Sequence, residues 1–244
     1  MDEIWGELAV PDAASAPPAG VCHLWPIPVA ARTSWISDWI SDEERAQADR
    51  FLAEHARRTF LTSRSAQREV AARYLGVRPD AVPIDRTCRR CGGPHGRPTV
   101  PGPIDLSVSH TREWVVLAVV GAGRVGVDLE HEATARDLDS LIGTLTAAER
   151  AEFAEVPPPD QVGWFLRRWT RKEAAVKLTG HGLAVRFDAL DTRGALAIAD
   201  GVAPDWPTED IHLTDVRAGG GLVVALATTV PLRSVLLSGL SARS

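Results

Sequence analysis

No apolar run in this chain approaches the roughly 20 residues that a membrane-spanning helix needs. The first ten residues carry Asp2, Glu3 and Glu7, and so lack the basic and apolar regions of a secretory leader. Excess positive charge is missing as well. With 27 Lys+Arg against 32 Asp+Glu the net charge is −5, which gives no general reason to expect a nucleic-acid partner. Cysteine is scarce: three residues, an odd count that argues against a disulfide framework. These absences lead to the expectation of a soluble, cytoplasmic protein with neither membrane nor nucleic acid as a partner. What is there is an ordinary globular balance, 45% hydrophobic and 24% charged, in 244 residues. That length suits one large domain or two small ones.

The three cysteines are Cys22, Cys88 and Cys91. Cys88-x-x-Cys91, with Gly92-Gly93 and His95, has the look of half a zinc knuckle. A tetrahedral site needs four ligands, and no second pair is nearby; Cys22 or His23 would have to be recruited. The preferred reading of Cys88, Cys91 and His95 is therefore a reduced-thiol loop rather than a structural zinc site.

Two segments of the second half carry the chemistry. In Gly126-Val127-Asp128-Leu129-Glu130 the two carboxylates are two apart at the end of an apolar run, which puts both on one face of a strand. In Trp169-Thr170-Arg171-Lys172-Glu173-Ala174-Ala175-Val176-Lys177, Glu173 and Lys177 are four apart among helix formers and share a helix face. If strand and helix pack together, three carboxylates meet an ammonium. Carboxylates so crowded repel one another unless a cation neutralises them, and all-oxygen ligation suits Mg²⁺, which keeps positions open for phosphates. Each feature has an ordinary reading alone: a solvated strand end, or an i,i+4 surface pair worth about 0.3–0.5 kcal/mol. Trp169 and Val176 read as the buried face of the helix.

The chain also repeats itself at an offset of about 105 residues. Ser41-Asp42-Glu43-Glu44 and Thr146-Ala147-Ala148-Glu149 are both capping-box starts. Phe60-Leu61 and Phe165-Leu166 each open a second helix, ending near Gly76 and Gly180. Val21–Trp25 falls opposite Gly126–Glu130, and Trp114–Val120 opposite Leu222–Leu226. The expected fold is α/β (α+β): a pseudodimer of two similar halves, 1–121 and 122–244, each a small sheet packed on helices, with the ligand in the cleft between them. Opposite Asp128, Glu130 and Glu173 lie His23, Trp25 and Arg68, so one metal site is expected per chain, in the second half. A monomer should suffice.

Gly96-Arg97-Pro98, Ser109-His110, Gly126–Glu130, Trp169-x-x-Lys172-Glu173-Ala174-x-x-Lys177 and Gly180-His181-Gly182-Leu183, in this order, resemble the 4′-phosphopantetheinyl transferases, in their larger surfactin-synthetase-type (Sfp-like) pseudodimeric branch. The resemblance implies transfer of phosphopantetheine from coenzyme A to a serine of an apo acyl or peptidyl carrier protein, with 3′,5′-adenosine diphosphate as the other product. It implies Asp128, Glu130 and Glu173 as ligands of Mg²⁺ or Mn²⁺, Glu173 as the base for the serine, and Lys177 on the pyrophosphate. Arg97, Ser109 and His110 match positions that hold the nucleotide end, and Arg58 is a further phosphate contact. Glu43, Glu44 and Gln47 stand at a helix start where some relatives carry lysines. The rival functions are a catalytically silent protein binding coenzyme A or a carrier domain, and a zinc-stabilised interaction module.

Overall fold

The computed structural model describes Trp5 and residues 15–29, 39–133, 137–182 and 184–239. Leu183, at the end of the last motif, lies outside the described residues. Two compact units divide between Ala122 and Gly123; residues 234–239 belong to the N-terminal one and Trp5 to the C-terminal one, so the units exchange segments across the expected 121/122 boundary.

In the N-terminal unit, strand β1 (Val21–Pro28) is followed by helices α1 (Asp42–Ala48) and α2 (Glu54–Leu75), then by strands β2 (Asp105–His110) and β3 (Trp114–Val120). The C-terminal unit repeats the plan with β4 (Val125–His131), α3 (Ala147–Ala154), α4 (Gln161–Thr179), β7 (His212–Val216) and β8 (Leu222–Thr228). A two-residue ribbon, β5 (Leu190–Asp191) with β6 (Ile198–Ala199), is inserted before β7. The sheet orders correspond: β2-β3-β1 in one unit and β7-β8-β4 in the other. Registers correspond too. Leu24 faces Ala118 on the antiparallel β1–β3 pair, and Leu129 faces Val224 on β4–β8.

The N-terminal sheet has a fourth strand, β9 (Ser234–Leu237), which runs parallel to β1 and covers its outer edge. Those backbone bonds satisfy an edge that would otherwise present unpaired N–H and C=O groups. Nothing local in Ser234-Val235-Leu236-Leu237 announces that partner.

Both short helices start as their sequences predict. Ser41 and Thr146 accept from the backbone N–H of Glu44 and Glu149, and each glutamate accepts from the backbone N–H of its cap. Both long helices end on a left-handed glycine, Gly76 at φ 65° and Gly180 at φ 79°. Their starts differ from expectation: α2 begins at Glu54 and α4 at Gln161, upstream of Phe60 and Phe165. Neither start has a side-chain cap, so the sequence carried no local marker for it.

The N-terminal core joins Trp25 and Ile27 of β1 and Leu117 and Val119 of β3 to Ala66 and Val70 of α2. In the C-terminal unit, Ala174, Ala175, Val176 and Leu178 of α4 pack with Leu213, Ala225 and Ala227 of the sheet. Small residues on both surfaces let helix and sheet approach closely. The limiting contact is Gly126 of β4. A Cβ there would lie 1.9 Å from the Ala174 carbonyl oxygen and 2.6 Å from the Leu178 backbone nitrogen. Backbone atoms cannot yield as a side chain can, so Gly126→Ala must push α4 off the strand. Its expected cost is on the order of 3 kcal/mol, at the upper end for overpacked cores, measured by urea unfolding. A loss under about 0.5 kcal/mol, the range of an ordinary surface change, would contradict this close approach.

Candidate metal and phosphate site

Gly126, Asp128 and Glu130 alternate along β4 and so share one face of the sheet. Because Gly126 touches the backbone of α4, that face is the one the helix covers. Trp169, Glu173 and Lys177 follow one another at four-residue steps along α4. Strand and helix thereby bring both predicted segments together in one unit.

Lys177 Nζ donates to Asp128 Oδ1 at 2.6 Å, with Asp128 only 4% exposed and the lysine half-buried. Trp169 Nε1 donates to Glu130 Oε1 at 3.2 Å. The Trp169 ring is stacked on Phe187, with centroids 5.3 Å apart at 14°, and lies near-parallel to Phe165. A side chain expected only to fill the core thus also orients a carboxylate. Its position one helical step before Glu173 was the available signal.

Glu173 experiences the whole cluster. Burial pushes its carboxyl up to about 7, the charges of Asp128 and Glu130 push in the same direction, and Lys177 opposes them. The donor set is all oxygen, three carboxylates with the Lys177 ammonium beside them, which fits a hard divalent cation.

Lys172, between Trp169 and Glu173 in the motif, has a different task. It is fully buried, 2.6 Å from the equally buried Glu149, and donates to the carbonyls of Thr144, Phe187 and Leu190. Glu149 also accepts from the Thr192 backbone N–H and hydroxyl, each at 3.0 Å. All three ammonium hydrogens have acceptors among those carbonyls or on Glu149. The pair locks α3, α4 and the loop before β5.

The N-terminal counterpart of the site is closed by its own side chains. His23 Nδ1 lies 2.8 Å from Tyr74 Oη, and Trp25 Nε1 donates to that same oxygen at 3.0 Å. The Trp25 N–H can only donate, which leaves the tyrosine proton for His23. Burial holds the His23 pKa low, consistent with a neutral, accepting ring. Arg68 pairs with Glu44 at 2.8 Å, and Arg86 and Arg64 lie 3.6 and 3.8 Å from that carboxylate. Burial, and next the charge of Arg64, bring the Arg86 guanidinium down to about 10. Glu44 is thus the hub of an arginine cluster.

Arg58, Arg97, Ser109 and His110 belong to this N-terminal unit. Arg58 is half-buried on α2. Arg97 forks onto Asp105 with both terminal nitrogens. Ser109 is buried near the end of β2, and His110 closes that strand in an exposed position.

Cys88, Cys91 and His95 converge, each offering one ligand atom within 4.8 Å of the other two. Among the described residues this is the one set of three Cys, His, Asp or Glu side chains that meets so tightly.

Comparison with known proteins gives two family matches. Residues 124–220 match the model described as the 4′-phosphopantetheinyl transferase superfamily, and residues 25–121 match the 4′-phosphopantetheinyl transferase N-terminal model. The chain is 34% identical over 171 residues to the 4′-phosphopantetheinyl transferase HetI of a Nostoc species, covering 66% of this chain and 70% of that protein. It is 32% identical over 162 residues to the 4′-phosphopantetheinyl transferase psf-1 of Bacillus pumilus, covering 65% of each. Against the 4′-phosphopantetheinyl transferase Sfp of Bacillus subtilis the identity is 25% over 158 residues, 64% of this chain and 66% of that one.

The raised Glu173 carboxyl makes stability depend on pH. Its folded value of about 7 stands above the ordinary 4.5, so folding favours the protonated form. Its contribution is fully present below pH 4.5 and is lost as pH rises through about 7. In chelator, urea unfolding should show this component of stability falling across that window, and Glu173→Gln should remove it. A Glu173→Gln profile parallel to that of the unmodified protein would assign the raised group elsewhere.

Proposed function

The chain belongs to the 4′-phosphopantetheinyl transferase superfamily and is an enzyme of that type, and we propose that the Asp128, Glu130, Glu173 and Lys177 cluster carries its transfer of phosphopantetheine from coenzyme A to a carrier-protein serine. The observation that carries this reading is the meeting of two separate sequence segments in one charged cluster: Lys177 on Asp128 at 2.6 Å, beside a Glu173 carboxyl raised by burial and then by its acidic neighbours. Asp128, Glu130 and Glu173 would hold Mg²⁺ or Mn²⁺. When bound, that ion draws negative charge from the pyrophosphate oxygens and helps the leaving phosphate depart.

The serine hydroxyl oxygen forms a bond to the pantetheine-side phosphorus of the pyrophosphate. The bond from that phosphorus to the bridging oxygen breaks, and 3′,5′-adenosine diphosphate leaves with the electron pair. Glu173 takes the hydroxyl proton. A carboxylate is basic enough to accept that proton as the oxygen–phosphorus bond forms. Lys177 places its ammonium where charge builds on the leaving phosphate, and its contact with Asp128 fixes it there. Trp169 keeps Glu130 oriented from behind. In the N-terminal unit, Arg97, Ser109, His110 and Arg58 are the residues for the nucleotide end. The Asp105 carboxylate already fixes the plane of the Arg97 guanidinium.

A reading as a silent binding protein lacks comparable support, since all four charged groups that the chemistry requires are present and brought together. The partners on this reading are coenzyme A and an apo acyl or peptidyl carrier protein, served by a cytoplasmic monomer.

Intact-mass analysis of apo acyl and peptidyl carrier proteins, incubated with coenzyme A and this protein, tests the proposal. At least one carrier should gain a single phosphopantetheine, and only with Mg²⁺ or Mn²⁺ present. Asp128→Ala and Glu173→Ala should each lower the rate about 10²-fold or more. Glu130→Ala should be milder, because water can replace one ligand of Mg²⁺. Trp169→Phe keeps the ring packing but removes the N–H, and should weaken Mn²⁺ binding about 10-fold. No mass gain across the panel, or an Asp128→Ala variant at the unmodified rate, would overturn the assignment.

A further inference from the structure

Residues 85–99 of the N-terminal unit form a narrow ribbon. Its base is closed by paired backbone bonds, Asp85 N–H to Thr99 O and Thr99 N–H to Asp85 O, each 2.9 Å. The Thr87 backbone N–H and hydroxyl both donate to Asp85 Oδ1, and the Gly96 N–H donates to Arg86 O at 2.7 Å. Above this base the tip, from Cys88 to His95, has no apolar core: residues 89–92, 94 and 95 are exposed. Burial does not account for its ordered conformation.

The tip is nevertheless folded tightly around sulfur. Gly92 N–H donates to Cys88 O and Cys88 N–H to Gly93 O, both at 2.8 Å, and Gly92 takes a left-handed φ of 72°. The backbone N–H groups of Arg90 and Cys91 point at the Cys88 thiol. Gly93 matters for a different reason. A Cβ there would sit 3.0 Å and 3.1 Å from the His95 ring, a tight contact, and 3.4 Å from Cys91 Sγ, an ordinary one, so the glycine lies directly against both ligand side chains. Cys91 Sγ and His95 Nε2 are 2.9 Å apart, and both cysteines are free thiols. A tetrahedral zinc ion with ordinary bond lengths holds its ligand atoms about 3.5–3.8 Å from one another. Three atoms already within 4.8 Å of each other reach that arrangement by side-chain shifts of well under one residue's reach.

We propose that Cys88, Cys91 and His95 bind one zinc ion per chain, with water or a small anion in the fourth position. The donor set decides the metal: two thiolates and an imidazole suit zinc, whereas Mg²⁺ prefers oxygen. The sequence argument against zinc was the missing fourth protein ligand. Cys22, the nearest candidate, is buried in β1 and is not part of the cluster. Three protein ligands with one open place is an established zinc arrangement, so that objection does not hold. The ion would join the two legs of a ribbon that carries Arg86 on one side and Arg97 on the other, while the exposed Arg89 and Arg90 lie between the ligands.

The test uses the full chain, grown with added zinc and purified without chelator. Metal analysis after gel filtration should give about one zinc per monomeric chain. Cys91→Ser and His95→Ala should each lower the content about 10-fold, with circular dichroism unchanged. Replacement by Co²⁺ should give thiolate-to-cobalt charge transfer and the visible bands of a tetrahedral ion, and excess Mg²⁺ should not displace it. Asp128→Ala should keep its zinc, so failure of this site and failure of the catalytic assignment are separable. Zinc removal should speed tryptic cleavage after Arg89 and Arg90 about 10-fold, since the tip then keeps only its backbone hydrogen bonds. No bound zinc, one zinc shared by two chains, or a Cys88–Cys91 disulfide in the isolated protein would each overturn the proposal.

Discussion

A backbone-to-backbone contact sets the geometry on which the candidate site depends. At Gly126 there is no room even for a methyl group between β4 and the Ala174–Leu178 turn of α4. Asp128 and Glu130 follow on the same face of the strand, and Glu173 and Lys177 flank the same turn of the helix. Close approach at Gly126 is what lets Lys177 meet Asp128 directly and exposes Glu173 to both strand carboxylates. The alanines of α4 and β8 extend that close contact along the interface.

The crowding has an energetic cost, and neighbouring structure offsets it. Burial first, and then the charges of Asp128 and Glu130, raise the Glu173 carboxyl. Next to Glu173 in the chain, Lys172 forms a fully buried pair with Glu149, and the pair's hydrogen-bonding groups meet partners at Thr144 and in the 187–192 stretch. Such pairs rarely add much net stability, but removing one partner leaves a buried charge and is strongly unfavourable. The pair therefore works as a constraint on register: α3, α4 and the loop to β5 can dock in one arrangement only. The same device appears in the N-terminal unit, where the capping-box Glu44 meets Arg68 of the long helix.

Much of this was legible in the sequence because it rests on local signals. Capping boxes, helix-ending glycines and alternating carboxylates are short-range patterns, and each led to the right element. The repeat was readable for the same reason, since both units use the same signals in the same order. What stayed hidden was non-local. The partner of β9 is a strand some two hundred positions earlier in the chain, and no property of four residues encodes it. Gly126 reads as one more letter of a motif until the helix beside it is seen. Trp169 read as core and Lys172 carried no assigned role, yet the first donates a hydrogen bond to Glu130 and the second is a buried ion-pair partner. That Cys88, Cys91 and His95 converge in space is likewise a property of the folded ribbon rather than of their spacing alone.

The two units show how one plan accommodates opposite charge requirements. At the positions of Asp128 and Glu130 the N-terminal unit has His23 and Trp25, and Tyr74 satisfies both with one hydroxyl. That neutral trio needs no ion and leaves no excess charge, so it stabilises its unit in any salt or chelator. The C-terminal unit instead gathers Asp128, Glu130 and Glu173 in one cluster, with Lys177 on Asp128 at 2.6 Å. On the function proposed above, a cation and an anionic substrate that bind this cluster stabilise the folded chain by mass action. One strand–helix plan thus carries a neutral hydrogen-bonded trio in one unit and a charged cluster in the other.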